Sequence, residues 1–179
     1  RMIKNNQTLS LSVVIPVYNE QQTIKTVIRT VSNSKIVNEI VIVDDCSVDN
    51  SVTIIKDTID KMLQEKTHLN ILFSQNKRNL GKGASLRAGF KLATCDVIVI
   101  QDADLEYDPG EYERLIQPII DGNADVVYGS RFIGGTHRVL YFWHYMGNKM
   151  LTLMSNMFSN LNLTDMETCY KMFRREILD

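Results

Sequence analysis

Short apolar runs and longer amphipathic stretches alternate along most of the chain. Leu11–Val17 (LSVVIPV), Ile40–Val43 (IVIV), Leu69–Phe73 (LNILF), Val97–Ile100 (VIVI) and Ala124–Tyr128 (ADVVY) are short, rich in Val and Ile, and nearly continuously apolar. Such runs predict strands covered on both faces, because a strand with one wet face would alternate apolar and polar residues. Between them, Glu20–Val31 sets Ile24, Val27, Ile28 and Val31 on one helical face, and Asp49–Leu63 does the same with Ile54, Ile55, Ile59 and Met62. Ala84–Leu92 and Tyr112–Ile120 repeat the pattern. Asp49 and Asn50 are candidate N-caps of the second helix, and Asp108-Pro109 opens the fourth. This alternation predicts an α/β fold, a mostly parallel sheet flanked by helices, as a single domain over residues 1–179.

In a sheet of this kind, ligands collect beyond the carboxyl ends of the strands. Pro16, Tyr18, Asn19 and Glu20 follow the first run, and Asp44, Asp45, Cys46, Ser47 and Asp49 the second. Asp102, Ala103, Asp104, Leu105 and Glu106 follow the fourth. Clustered carboxylates destabilise one another unless a cation sits among them. In extended chain, Asp102 and Asp104 project to the same side, and such hard oxygens suit Mg2+ or Mn2+, with Glu106 a possible third ligand. The competing reading is an acidic loop that caps the next helix.

Asp45 would accept hydrogen bonds from a base or a ribose hydroxyl, or else cap a helix. Tyr18 would offer its ring to a base, or else pack in the core. Asn79-Leu80-Gly81-Lys82-Gly83 is a glycine-bearing turn without the spacing of a Walker motif, and its Lys82 either faces a phosphate or is solvated. Arg131, after the fifth run, is a candidate phosphate clamp.

Residues 137–163 are rich in Leu, Met, Phe, Tyr and Trp and read as helical. They form either a core helix pair or a surface that meets lipid or an apolar substrate. His137 and His144 have no partners at metal-ligand spacing.

Composition narrows the field. The 179 residues carry 20 Lys+Arg and 21 Asp+Glu, a formal charge of −1, which gives no support for nucleic-acid binding by bulk electrostatics. At 44% hydrophobic and 23% charged, the chain is an ordinary globular protein rather than a disordered or collagen-like one. Residues 131–179 hold 6 basic and 4 acidic side chains, a mild +2 that suits an anionic membrane or a phosphate-bearing acceptor. Cys46, Cys95 and Cys169 lack metal or disulfide spacing and read as reduced thiols of a cytoplasmic protein. There is no signal peptide and no run of the ~20 apolar residues needed to span a bilayer. Beginning on Arg1 rather than Met, the sequence reads as a piece of a longer protein.

Taken in order, VIPVYNE, VDDCSVD, NLGKG, QDADLEYDP, GSRF and TDMETCYK resemble the inverting family 2 glycosyltransferases of the GT-A, Rossmann-like fold. The nearest branch is that of dolichol-phosphate mannose synthase and the bacterial polyprenyl-phosphate sugar transferases. The resemblance covers roughly Leu11 to Phe173. It implies that Pro16, Tyr18 and Glu20 line a nucleotide pocket with Asp45 at the base or ribose, and that Asp102 and Asp104 hold the metal with Glu106 beside them. It places Arg131 near the acceptor or diphosphate and Asp165 as a catalytic or positioning carboxylate, so that Asp104, Arg131 and Asp165 form the catalytic set. Lys171 falls where a basic residue would meet phosphate.

Two departures stand out. Cys46 replaces the usual Gly, and Cys169-Tyr170-Lys171 replaces Gly-Phe-Arg or Gly-Phe-Lys. The absence of Q-x-x-R-W speaks against a processive polysaccharide synthase. The implied reaction moves a sugar from GDP-mannose or a UDP-hexose to polyprenyl or dolichyl phosphate, at the cytoplasmic face of a membrane and with Mg2+ or Mn2+. Its rivals are a hydroxyl acceptor on the same fold and a non-catalytic nucleotide-sugar-binding module.

Overall fold

The computed structural model describes residues 9–65, 69–105, 107–129, 142–160, 163, 165, 168 and 170–178, with backbone alone at 142–145 and 159. Among these residues, five α-helices and six strands follow in the order β1 (Leu11–Val17), α1 (Ile24–Ser32), β2 (Glu39–Asp44), α2 (Ser51–Gln64), β3 (Asn70–Gln75), α3 (Lys82–Leu92), β4 (Val97–Ile100), α4 (Tyr112–Ile120), β5 (Val126–Tyr128), α5 (Phe142–Ser159) and β6 (Lys171–Arg174).

The strands form one sheet in the order β3-β2-β1-β4-β6-β5. β1, β2, β3 and β4 run parallel, in register Val14 to Val41 and Val14 to Ile100, while β6 is antiparallel to both β4 and β5. β1 and β4 start where the patterning puts them. The additional strand is β6, which the patterning passed over because KMFR carries two charges in four residues.

The continuous apolar runs have their physical cause in two cores. Leu11, Val13, Ile15 and Val17 of β1 face Ile24, Ile28, Ile55 and Ile119 of the helices on one side of the sheet. Val14, Val41, Val43 and Ile98 face α3 on the other. A strand buried on both faces has no position for a polar alternate. α3 comes so close that a Cβ on Gly89 would collide with the Val14 side chain, so glycine is needed there for approach.

The switch in strand order falls between β1 and β4. The chain leaves β1 through α1 on one face and returns from β3 to β4 through α3 on the other, so the carboxyl ends of β1 and β4 border a crevice.

Candidate functional site

That crevice holds a cavity of about 300 Å3. Pro16, Val17, Tyr18 and Glu20 line it from β1, Asp45 from β2, Asn79, Gly81, Lys82 and Ser85 from the start of α3, and Asp102, Ala103 and Asp104 from β4. Seven of the residues singled out from sequence, Pro16, Tyr18, Glu20, Asp45, Lys82, Asp102 and Asp104, thus share one wall. Tyr18 is 46% exposed at the cavity rather than packed in the core.

The loops are fixed to one another by backbone hydrogen bonds. Asn19 N donates to Ser47 Oγ at 2.9 Å, Val48 N to Asn19 Oδ1 at 2.9 Å, and Glu20 N to Ser51 Oγ at 2.8 Å. Asp49 accepts from Gln21 N and Ser51 N, so it ties α2 to the β1 loop, while Asn50 stands at the N-cap position without a capping side chain. Burial alone would raise the Asp49 pKa, but these donors and the Ser51 hydroxyl outweigh it and hold the group below the ordinary carboxylate value.

Asp45 is almost wholly buried and accepts from Asn76 Nδ2 at 2.7 Å, Leu80 N at 3.0 Å and Gly81 N at 2.7 Å. Its burial opposes ionisation, yet the donors prevail and the carboxyl lies below its ordinary pKa. The carboxylate therefore pins the glycine-bearing turn of α3 to the end of β2. Gly81 sits at φ 85, a left-handed backbone that glycine adopts without strain. Asn76 also donates to Ser85 Oγ. Neither Asn76 nor Ser85 was singled out from the sequence; polar residues flanking an N-L-G turn were the available signal.

Cys46 has φ 63, the left-handed region in which a Cβ is strained. The turn that glycine usually makes is thus kept, at a cost. Cys46→Gly is expected to stabilise the chain by about 1 kcal/mol, read as a rise in melting temperature; an unchanged or lower value would show the turn to be relaxed around cysteine.

Just after β4, buried Gln101 accepts from Tyr112 Oη at 2.6 Å and donates to the Asp102 carbonyl at 3.1 Å, which supports the acidic loop. Asp102 is buried and Asp104 exposed. Lys82 Nζ lies 2.6 Å from Asp102 Oδ1 and 2.9 Å from Oδ2.

Whether these residues suit Mg2+ or Mn2+ turns on their donor chemistry. The loop offers hard carboxylate oxygens to the cavity, and an ammonium already sits on Asp102 as a stand-in cation, so the carboxylate is placed to hold positive charge. Among the described residues no trio of His, Cys, Asp or Glu forms a metal cluster. A small divalent ion needs no such trio when one or two carboxylates, waters and substrate phosphates complete its shell. Asp102 and Asp104 therefore fit the group.

Glu106 and Arg131 fall outside the described residues, as do His137 and Cys169, and the side chain of His144. Asp165 is not on the cavity wall: it is buried and accepts from Asn148 Nδ2 of α5 at 3.2 Å. Lys171 sits on β6 with Nζ 5.2 Å from the Tyr128 ring centroid, a cation–π contact.

A mostly parallel sheet whose switch-point crevice gathers carboxylates, a lysine and a helix start defines an α/β protein with a ligand crevice at the carboxyl ends of its strands. The model of glycosyl transferase family 2 matches residues 12–179, and the chain belongs to that family. It is 31% identical over 176 residues to the undecaprenyl-phosphate 4-deoxy-4-formamido-L-arabinose transferase of Proteus mirabilis, covering 94% of this chain and 50% of that protein. The enzyme of the same name from Yersinia enterocolitica is 29% identical over 182 residues, covering 99% and 53%. The chain thus spans about half the length of these curated relatives. Among solved structures, Mycobacterium tuberculosis glucosyl-3-phosphoglycerate synthase in complex with Mn2+, UDP and glucosyl-3-phosphoglycerate aligns with a TM-score of 0.69 at 19% identity, over 94% of this chain and 58% of that one, a likeness of fold.

Proposed function

We propose that residues 1–179 form the catalytic domain of an enzyme that transfers a sugar from a nucleoside diphosphate sugar, GDP-mannose or a UDP-hexose, to polyprenyl phosphate, with Mg2+ or Mn2+, at the cytoplasmic face of a membrane. The observation that carries this reading is the cavity lining itself, where Lys82 at the start of α3 meets Asp102, with Asp104, Tyr18 and Asp45 in the same lining. In this reading Tyr18 and Asp45 meet the nucleoside, and Lys82 meets the diphosphate. Asp102 and Asp104 would hold the metal, which neutralises charge on the departing diphosphate. Attack from the opposite face inverts the anomeric carbon. A phosphate acceptor is ionised at neutral pH and needs no strong general base, so positioning and electrostatics are the main tasks. The burial of Asp165 against Asn148 fits a positioning role better than that of a base.

The polyprenyl part of the proposal is supported by the names of the relatives and by α5. This helix is inside out. Asn148 and Thr152, one turn apart, are buried, and Asn156, a further turn on, exchanges hydrogen bonds with the Leu163 backbone at 2.8 and 2.9 Å. Outward stand Met150, Leu153, Met157 and Phe158, from 61% to 86% exposed. A helix in water buries its apolar stripe; the opposite arrangement suits a helix whose outer side meets lipid. No helix among the described residues is long and apolar enough to cross a bilayer, so α5 would lie along the surface. The single lysine of α5 and the +2 charge of residues 131–179 complement anionic headgroups.

The test is a panel of GDP and UDP, each with and without Mg2+ or Mn2+, scored by melting temperature on the full-length protein. Transfer from the matching labelled donor to polyprenyl phosphate follows. The expected product partitions into organic solvent and is labile to mild acid. A product stable to mild acid would point to the hydroxyl acceptor, and no response to any nucleotide would overturn the reading.

Replacing both Met157 and Phe158 by Glu is expected to weaken sedimentation with anionic vesicles about tenfold or more, since each side chain contributes about 1.5–3 kcal/mol on burial, while leaving nucleotide stabilisation unchanged. Equal sedimentation would mean that some other partner covers α5.

A further inference from the structure

The cavity contains its own cation, and this bears on the order in which ligands enter. Lys82 Nζ contacts both oxygens of Asp102, at 2.6 and 2.9 Å. The backbone beneath it is fixed, because Asp45 holds Leu80 N and Gly81 N. The side chain is different: it is 49% exposed and hangs on a flexible four-carbon stem. Its head can move from one anion to another while the turn stays in place.

Charge sets the consequence. A divalent ion entering alone adds two positive charges beside an ammonium at short range, and must displace that ammonium from Asp102. A divalent ion entering with a nucleotide diphosphate sugar, whose two phosphates carry one negative charge each, leaves the local charge unchanged. Glu20, Asp45 and Asp104, which also line the cavity, are common to both cases and drop out of the comparison. In the second case Lys82 exchanges one oxyanion for another and no charge is left uncompensated.

We infer that Lys82 is the resident counter-cation of Asp102, so that the divalent ion and the diphosphate enter together as the ammonium passes from the carboxylate to the phosphates. This rests on the cavity being the donor site. It makes Lys82 a gate against metal bound alone as well as a phosphate contact.

The test titrates Mn2+, followed by its electron paramagnetic resonance signal, with and without GDP or UDP, into the full-length protein and its Lys82→Met, Lys82→Gln and Lys82→Arg variants. Wild type is expected to bind Mn2+ alone weakly and about tenfold or more tightly with the matching nucleotide. Lys82→Met is expected to bind Mn2+ alone about tenfold more tightly than wild type and to lose most of the gain from nucleotide. Lys82→Gln removes the charge with a polar side chain, so a folding defect in one variant leaves the test standing. Lys82→Arg keeps a cation on Asp102 and is expected to match wild type for Mn2+ alone. If both neutral variants bind Mn2+ alone no more tightly than wild type, while wild type still binds Mn2+ with nucleotide, the gating role falls and the donor site survives. If neither nucleotide promotes Mn2+ binding or raises the wild-type melting temperature, the donor-site reading falls, and the gate with it.

Discussion

Asp104→Ala is expected to reduce sugar transfer by ~10^2–10^3-fold while the melting temperature stays close to that of wild type. The factor follows from the task proposed for the side chain: charge on the departing diphosphate must be balanced inside a cavity, and losing one preorganised electrostatic contact costs ~10^2–10^3-fold. The unchanged stability follows from placement. Asp104 is exposed on the loop after β4, and substitutions at exposed positions usually lie within about 0.5 kcal/mol of wild type. Asp102 is the less clean probe, because it is buried and paired with Lys82, so its loss disturbs both the fold and the site. The measurement is kcat/KM with Mg2+ or Mn2+ at saturation, beside a melting curve. Full turnover by Asp104→Ala would remove the residue from the site, and a large fall in melting temperature would recast it as structural.

The legible parts of this protein are those where one local rule has no competitor. The runs at β1 and β4 could be read directly because burial on both sheet faces leaves only apolar positions, and the carboxylates beyond them were legible because the carboxyl ends of parallel strands are where ligands bind. β6 was not legible: Met172 alone is fully buried in that strand, and two of its four residues are charged. The Lys82–Asp102 pair joins residues twenty positions apart, through a crossover whose geometry no spacing rule encodes. The composition of α5 allowed either a core helix or a lipid-facing surface, and only the burial of Asn148 and Thr152 decides which side faces the protein. The fate of Asp165 hangs on the same helix. A carboxylate in an acceptor-side motif turned out to be held by Asn148, a partner the sequence gives no reason to choose. Cys46 shows the converse. The residue departs from glycine but the backbone does not, since the turn is fixed by the loops laced around it.

The opposite end of the sheet carries the largest expected effect on stability. Glu39 opens β2 and is 1% exposed, yet its carboxylate is well supplied with donors. Oε1 accepts from Ser12 Oγ at 2.6 Å and Thr94 N at 2.8 Å, and Oε2 from Asn70 Nδ2 at 2.9 Å and Thr94 Oγ1 at 2.8 Å. One side chain thus joins β1, β2, β3 and the approach to β4 at the ends away from the cavity. Hydrogen bonds to a charged group contribute about 1.5–3 kcal/mol each, and a buried donor left unpaired costs about 1–3 kcal/mol. Thr94 and Asn70 are exposed enough to recover water, whereas Ser12 is fully buried. Glu39→Ala is therefore expected to cost about 3 kcal/mol, and in a chain of this size the melting temperature should fall by about 6–12 °C. Glu39→Gln should cost less. The hydroxyls of Ser12 and Thr94 can rotate and the Asn70 amide can turn over, so that each meets a neutral amide with a suitable partner. Neither variant should alter kcat/KM per folded molecule, because the clasp lies across the sheet from the carboxyl-end crevice. A melting temperature for Glu39→Ala within a degree or two of wild type would mean that the strand ends hold without it.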